Sequence, residues 1–199
     1  MAEALVGVAF ELVDEEGVEK LSMREVARRA GVSAGAPFRH FADRRALLTA
    51  VADRVLADFE AWQRAEVDRS TAGAGEGAGR ERAVLRAIGL GFVRYAIRYP
   101  HRFALVRSRV FAPSPQPELR ERLSGLDRAY TEVIVADQEA GLLKAGDPGL
   151  VGLAGQALVY GLVQMIVDGY LPAEKAEEVA GQVLDAFGRG IAGPAANPG

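Results

Sequence analysis

Ala4, Leu5, Val8, Ala9, Leu12 and Val13 recur at the three- and four-residue spacing of an amphipathic helix, and the pattern stops near Gly17. Ser22 then stands three residues before Glu25, the spacing of a capping box, and opens a second helix reaching Ala30. Gly31 supplies a turn, Ser33 is a further cap candidate, and the pattern predicts a short helix over 33–41. Asp43 caps a fourth helix, 44 to about 67, with Leu47, Val51, Val55, Phe59 and Trp62 on one stripe.

The low-complexity stretch 70–79 (STAGAGEGAG) reads as a flexible connection. Beyond it Val84, Ile88, Phe92, Tyr95 and Tyr99 line a helix that Pro100 ends or bends. A shorter helix is predicted over 101–111, bounded by Pro113, Pro115 and Pro117. Leu119, Leu123, Leu126, Tyr130, Val133, Ile134 and Asp137 carry the next helix over 117–140. An uncharged helix follows over 148–167 and stops at Gly169 and Pro172. The last, 173 to about 191, buries Ala176, Val179, Ala180, Val183, Leu184 and Phe187, and the final GPAANPG is expected to fray. No sustained alternation of period two occurs anywhere, so the fold class is all-α.

At 199 residues and 21.2 kDa, the chain fits one domain, or a small domain fused to a larger one. The absence of cysteine excludes disulfide frameworks, thiolate metal sites and a cysteine nucleophile. Two histidines, His40 and His101, make a multi-histidine metal site hard to build, and no cofactor is expected. Net charge is −3, so no uniformly basic coat exists, but the charge is unevenly placed. The acids Glu3, Glu11, Asp14, Glu15, Glu16 and Glu19 come first, with no base among them. Over 20–45 the bases Lys20, Arg24, Arg28, Arg29, Arg39, Arg44 and Arg45 face only Glu25 and Asp43, a local net of +5. That island is a candidate phosphate footprint, with a solvated helix face as the plainer reading.

The N-terminal Met1-Ala2-Glu3 has no basic flank ahead of its apolar stretch, so no signal peptide and a cytoplasmic location are expected. The uncharged segment 148–167 has the length of a membrane span. Gln156, Gln164, Tyr160, its four glycines and flanks without a lysine or arginine cluster argue instead for a core or a dimer interface, and no membrane is expected.

The stretch 22–41, SMREVARRAGVSAGAPFRHF, has the layout of a helix-turn-helix: a capped helix, a glycine turn, a second cap and a short second helix. Ala27 is small enough for the two helices to cross closely, and Val26, Ala30, Val32 and Phe41 occupy inward positions. The wording goes further. AGVS at 30–33, FRHF at 38–41 and DRRALL at 43–48 together resemble the DNA-binding domain of TetR-family transcriptional regulators, over roughly residues 5 to 51. The later helices resemble the ligand-binding half of a TetR subgroup, through Ala87-Ile88-Gly89-Leu90-Gly91-Phe92, Pro100 to Phe103, and 156–161, where Tyr160 stands in place of that subgroup's histidine.

The resemblance implies an N-terminal three-helix DNA-binding domain over 1–49 and a helical effector-binding and dimerisation domain over 50–199. It implies that Arg24 and Arg44 hold phosphates, with Ser22 and Ser33 at helix N-termini facing phosphate as well. His40 is expected on a phosphate, the other reading being a turn histidine that caps the short helix. Phe38 replaces the family's usual tyrosine, so it can stack on sugar or a thymine methyl but cannot donate a hydrogen bond. Arg39 is the only long donor inside the short helix, and Ala34, Gly35 and Ala36 offer apolar or backbone approach alone. Many relatives carry a basic arm before the first helix; here either that share of affinity is missing or the start is truncated.

The implied partners are double-stranded DNA, an unknown and partly apolar small-molecule effector, and a second copy bound through the last two helices. Gly152, Ala154, Gly155, Ala157 and Gly161 allow close backbone approach at such an interface. Phe92, Tyr95, Phe103, Val106, Tyr130, Ile134, Gln156, Tyr160 and Gln164 mix apolar bulk with a few polar groups, as an effector pocket does, with core packing as the plainer reading for each. The function expected is that of a repressor released from a palindromic operator by its effector. An all-helical enzyme and a membrane-associated adaptor are the competing readings; no HExxH, GxSxG, P-loop or paired-carboxylate pattern stands out, and His101 beside Pro100 reads as a loop residue.

Overall fold

A computed structural model describes residues 1–72, 78–107 and 117–193. Among these the fold is all-α: α1 (Ala2–Glu16), α2 (Met23–Arg29), α3 (Arg44–Thr71), α4 (Ala78–Arg98), α5 (Pro100–Val106), α6 (Pro117–Glu139), α7 (Pro148–Val167) and α8 (Ala173–Ile191). α3 runs past its expected end near 67, so the connection expected over 70–79 begins inside a helix, and its central residues lie outside the described ones. The helix expected over 101–111 closes at Val106, and the remainder also lies outside the described residues.

Packing divides the chain into two compact units, residues 1–60 with 98–124, and residues 61–97 with 125–199. This grouping joins α5 and the start of α6 to the N-terminal helices, although they are distant in sequence. In the first unit the core is formed by Leu5, Ala9, Leu12 and Val13 of α1, Val26 and Ala27 of α2, Leu47, Leu48 and Val51 of α3, and Leu105 of α5, all essentially inaccessible. In the second, Leu90, Val93, Ile134, Val163, Ala176 and Ala180 form the core, and the Trp62 indole donates to the Gly91 carbonyl at 3.0 Å.

Two local signals decide where helices begin and end. Gly31, at φ 67°, closes α2: its N–H reaches the Arg28 carbonyl (3.2 Å) and the Val32 N–H reaches back to Ala27 (3.0 Å). This pair of bonds satisfies carbonyls that the helix itself leaves open and requires a left-handed residue. Nothing crowds the position, so Gly31→Ala should cost about 1–2 kcal/mol from the backbone alone. Urea unfolding of the two proteins would show it, and equal midpoints would contradict it. At α7, the Asp147 carboxylate accepts from the Gly149 N–H (2.8 Å) and Pro148 occupies the first turn.

Gly152 and Gly155, expected at an interface between copies, instead face inward. A Cβ on Gly155 would stand 2.6 Å from the Tyr130 hydroxyl, so the glycine exists to admit α6. The apolar stripe of α8 likewise turns in, with Ala176 and Ala180 buried and Val179, Val183, Leu184 and Phe187 half-buried. Among the described residues the large apolar side chains left exposed in this pair of helices lie on α7: Leu150, Leu153 and Val167 are each more than 60% exposed.

Candidate nucleic-acid interface

Ser22 caps α2 as expected, its Oγ accepting from the Glu25 N–H at 3.1 Å. The Glu25 carboxylate is engaged elsewhere, accepting from Arg28 at 2.6 and 2.9 Å and from Arg29 at 3.2 Å. Hydrogen bonding from Arg28 is the main cause that pulls the Glu25 carboxyl down to about 2; desolvation opposes it, and the hydrogen bond from Arg29 and the charges of both arginines add to the lowering. Because the folded value lies below the ordinary 4.5, whatever stability the clasp brings is complete above that range and disappears as pH falls through about 2. A carboxyl NMR titration should therefore place Glu25 well below the ordinary glutamate value of 4.5. A midpoint at that ordinary value would mean the clasp is absent in solution.

Arg29 also donates to Glu15 (2.6 Å) and to Glu16, at the end of α1. The basic island is thus less basic than its residue count. Arg28 and Arg29 are neutralised by acids, and Arg29 ties α2 to α1. Arg44, expected on phosphate, directs Nε to the Leu21 carbonyl (2.7 Å) and an Nη to that of Val18 (2.6 Å), pinning the start of α3 to the 3-10 turn at Val18–Lys20. The Asp43 carboxylate caps α3 at the Ala46 N–H, 2.8 Å.

The short helix expected over 33–41 is corrected by the structure. Only the 3-10 turn Pro37–Arg39 forms, held by bonds from Ala36 to Ser33 (2.9 Å), Arg39 to Ala36 (3.2 Å) and His40 to Pro37 (3.0 Å). Pro37 has no N–H to return to Ser33 and its ring crowds the preceding turn, while Gly35 adds backbone entropy, so the α-helical ladder has nothing to build on. The Ser33 carbonyl, rather than its hydroxyl, makes the local bond. Pro37 is buried and anchors the segment, and Ala34, Gly35, Phe38, Arg39 and His40 project outward, Phe38 at 55% exposure. Among the described residues no hydrogen bond or ion pair engages the side chain of Lys20, Arg24, Arg39 or His40. The structure therefore presents exposed cations, an exposed aromatic ring and the capped N-terminus of α2 beside a proline-anchored turn.

The residues expected to line an effector site are distributed over both units. Phe103 and Val106 sit half-buried on α5 in the first. In the second, Tyr95 and Ile134 are core residues, Phe92 meets Tyr160 edge-on at 4.9 Å, and the Gln156 amide donates to Asp127 at 3.2 Å. Tyr130 is half-buried, and burial pushes its hydroxyl above the ordinary tyrosine value. Gln164 is exposed on α7 and donates to Asp168 at 2.7 Å. α7 is long and apolar enough to cross a membrane by length and composition alone. His101, read as a loop residue, belongs to α5. Its Nδ1 carries the proton donated to the Asp14 carbonyl at 2.9 Å, since a carbonyl can only accept.

These elements define an all-helical protein with an N-terminal helix-turn-helix. Residues 5–51 match the family model described as bacterial regulatory proteins, tetR family, and residues 85–187, just over half of the chain, match that of the tetracyclin repressor-like C-terminal domain. The chain belongs to the TetR family of transcriptional regulators. It is 43% identical over 54 residues to the class C tetracycline repressor protein of Escherichia coli, covering 27% of this chain and 25% of that protein. An HTH-type transcriptional regulator of Staphylococcus aureus is 42% identical over 52 residues, 26% of this chain and 28% of its own length. The chain thus spans only about a quarter of the length of these curated relatives.

Likeness to solved structures extends over nearly all of it. A protein of unknown function from Rhodococcus sp. RHA1 is 29% identical with a TM-score of 0.81, over 96% of this chain and 95% of that one. The ketosteroid transcriptional regulator KstR2 of Mycobacterium tuberculosis, 19% identical, shares the fold with a TM-score of 0.62, over 96% and 94%.

Proposed function

We propose that this protein is a dimeric, cytoplasmic transcriptional repressor that binds a palindromic operator and leaves it when a small-molecule effector binds. The observation that carries the reading is the exposed set Arg24, Phe38, Arg39 and His40, free of protein partners among the described residues, in a chain whose total charge is negative. Arg24, His40, Ser33 and the N-terminus at Ser22 hold phosphates and set the register; Ala34, Gly35, Phe38 and Arg39 lie against the bases. Arg44 retains donors beyond the two it spends on carbonyls and adds to the phosphate set from the start of α3.

One such turn covers a few base pairs, so two copies one helical turn of DNA apart are needed for useful discrimination. The uncharged outward face of α7 is the natural seam for the second copy, with α8 beside it. The effector site draws on Phe92, Tyr130, Gln156 and Tyr160, whose apolar rings and few polar groups suit a small, mostly apolar molecule. Its binding favours a conformation in which the two turns no longer match the half-sites.

Selection of bound fragments from random DNA tests this directly. A palindromic consensus is expected, bound with an affinity that falls steeply as salt rises. Recovery of unenriched sequence would refute operator recognition.

A further inference from the structure

The acidic run Asp14-Glu15-Glu16 at the end of α1 is a junction with two sides. Glu15 and Glu16 receive Arg29 and hold α2, while Asp14 faces α5. There Arg102 donates Nε and one Nη to the two carboxylate oxygens of Asp14 at 2.9 and 2.7 Å, and its other Nη to Asp58 of α3 at 2.8 Å. The guanidinium lies between two rings, 4.4 Å from the centre of Phe10 and 4.0 Å from that of Tyr99. Only 11% of the side chain is accessible. The neighbouring His101 takes the Asp14 carbonyl, one of the last four of α1 and so without a partner in its own helix. A second arginine, Arg122 of α6, reaches Asp53 and, at 3.0 Å, Glu60 of α3.

A planar fork bonded on two sides and stacked on two others admits one arrangement of α1, α3 and α5. Lysine cannot reproduce it, because a single ammonium neither bridges both carboxylate oxygens nor stacks. We propose that Arg102 is a positioning residue for DNA binding: it fixes the angle at which α1 carries α2 and the recognition turn. The DNA-binding unit is then residues 1–60 with 98–124, rather than the sequence-local 1–49. This rests on the operator-binding reading above, since Arg102 itself touches no base or phosphate.

The test uses the full-length dimer, the selected operator and the variants R102Q, R102K and D14N. Each should raise the operator Kd about tenfold or more, while a stoichiometric titration returns an unchanged active fraction. The slope of log affinity against log salt should stay that of the parent, since no phosphate contact is removed. A lower active fraction with an unchanged Kd would reduce Arg102 to a fold-stabilising role and overturn the proposal, as would parental affinity in R102K. Hydrogen exchange on the unmodified protein supplies a measurement that needs no variant. Operator binding should protect the last turn of α1 and residues 102–106 together, and exchange at 102–106 that ignores DNA would also overturn it. If the parent itself shows no sequence-specific binding, the operator reading fails instead, and the two failures are distinct.

Discussion

Ala157→Glu should turn the proposed dimer into a helical monomer that binds the proposed palindromic operator on the order of 100-fold more weakly. Ala157 is exposed in the protomer, so the substitution need not disturb its core. The residues on its face of α7 are Leu150, Leu153, Ala154, Gly161, Gln164 and Val167, all exposed and none charged. A continuous apolar face of this kind is costly to leave in water and marks an interaction surface. The small residues Ala154, Ala157 and Gly161 at its middle suit close approach of a second backbone, and the larger Leu150, Leu153 and Val167 lie towards its two ends. Two-fold symmetry makes such a face meet itself, so one glutamate per chain buries two like charges near the axis. Sedimentation would show the monomer, and circular dichroism its retained helix. The outward face of α8, with Lys175, Glu178, Gln182 and Arg189, is already polar, so Gln182→Glu should leave the dimer intact. A dimer in Ala157→Glu with full operator affinity would remove α7 from the interface.

Helices whose apolar residues recur regularly were legible in the sequence, because one buried stripe sets their phase. α7 runs over the residues its uncharged pattern predicts, and Leu47, Val51 and Val55 of α3 are buried as their spacing requires. The sequence is less informative where geometry depends on distant partners. Nothing near Arg102 announces Asp14 or Asp58, which lie 88 and 44 residues away, so the clamp on α1 is invisible without the fold. Charge counting fails for a related reason. Arg28 and Arg29 add to the basic total over 20–45, yet acids of the protein engage them, and Arg44 gives two of its donors to carbonyls; only the structure separates these from Arg24 and Arg39. The recognition segment was misread as a helix because AGVS and FRHF carry the family's wording, whereas Gly35 and Pro37 between them set the backbone. The glycines of α7 show a similar limit: small residues announce close packing but not the partner, and Gly155 packs on Tyr130 of its own chain.

That separation of spent from available arginines gives the sharpest contrast in DNA binding. Arg39→Ala should lose about 10–100-fold in affinity for the consensus and relax the preference at one base pair in each half-site, the loss of one bidentate contact to guanine. It is the one long donor on a turn whose other outward residues are Ser33, Ala34, Gly35, Phe38 and His40. Arg24→Ala, at the start of α2, should weaken every sequence alike and lower the salt slope by about two per dimer, one phosphate contact per half-site. Phe38 offers only an apolar edge, so its contribution should vanish when the facing thymine is replaced by uracil, which lacks the methyl group. Anisotropy titrations on the consensus, on single-base variants and at several salt concentrations distinguish these effects. If Arg39→Ala behaves like Arg24→Ala, uniform across sequences and with a reduced salt slope, Arg39 grips the backbone. Specificity would then have to come from the shape and deformability of the operator rather than from hydrogen bonds to its bases.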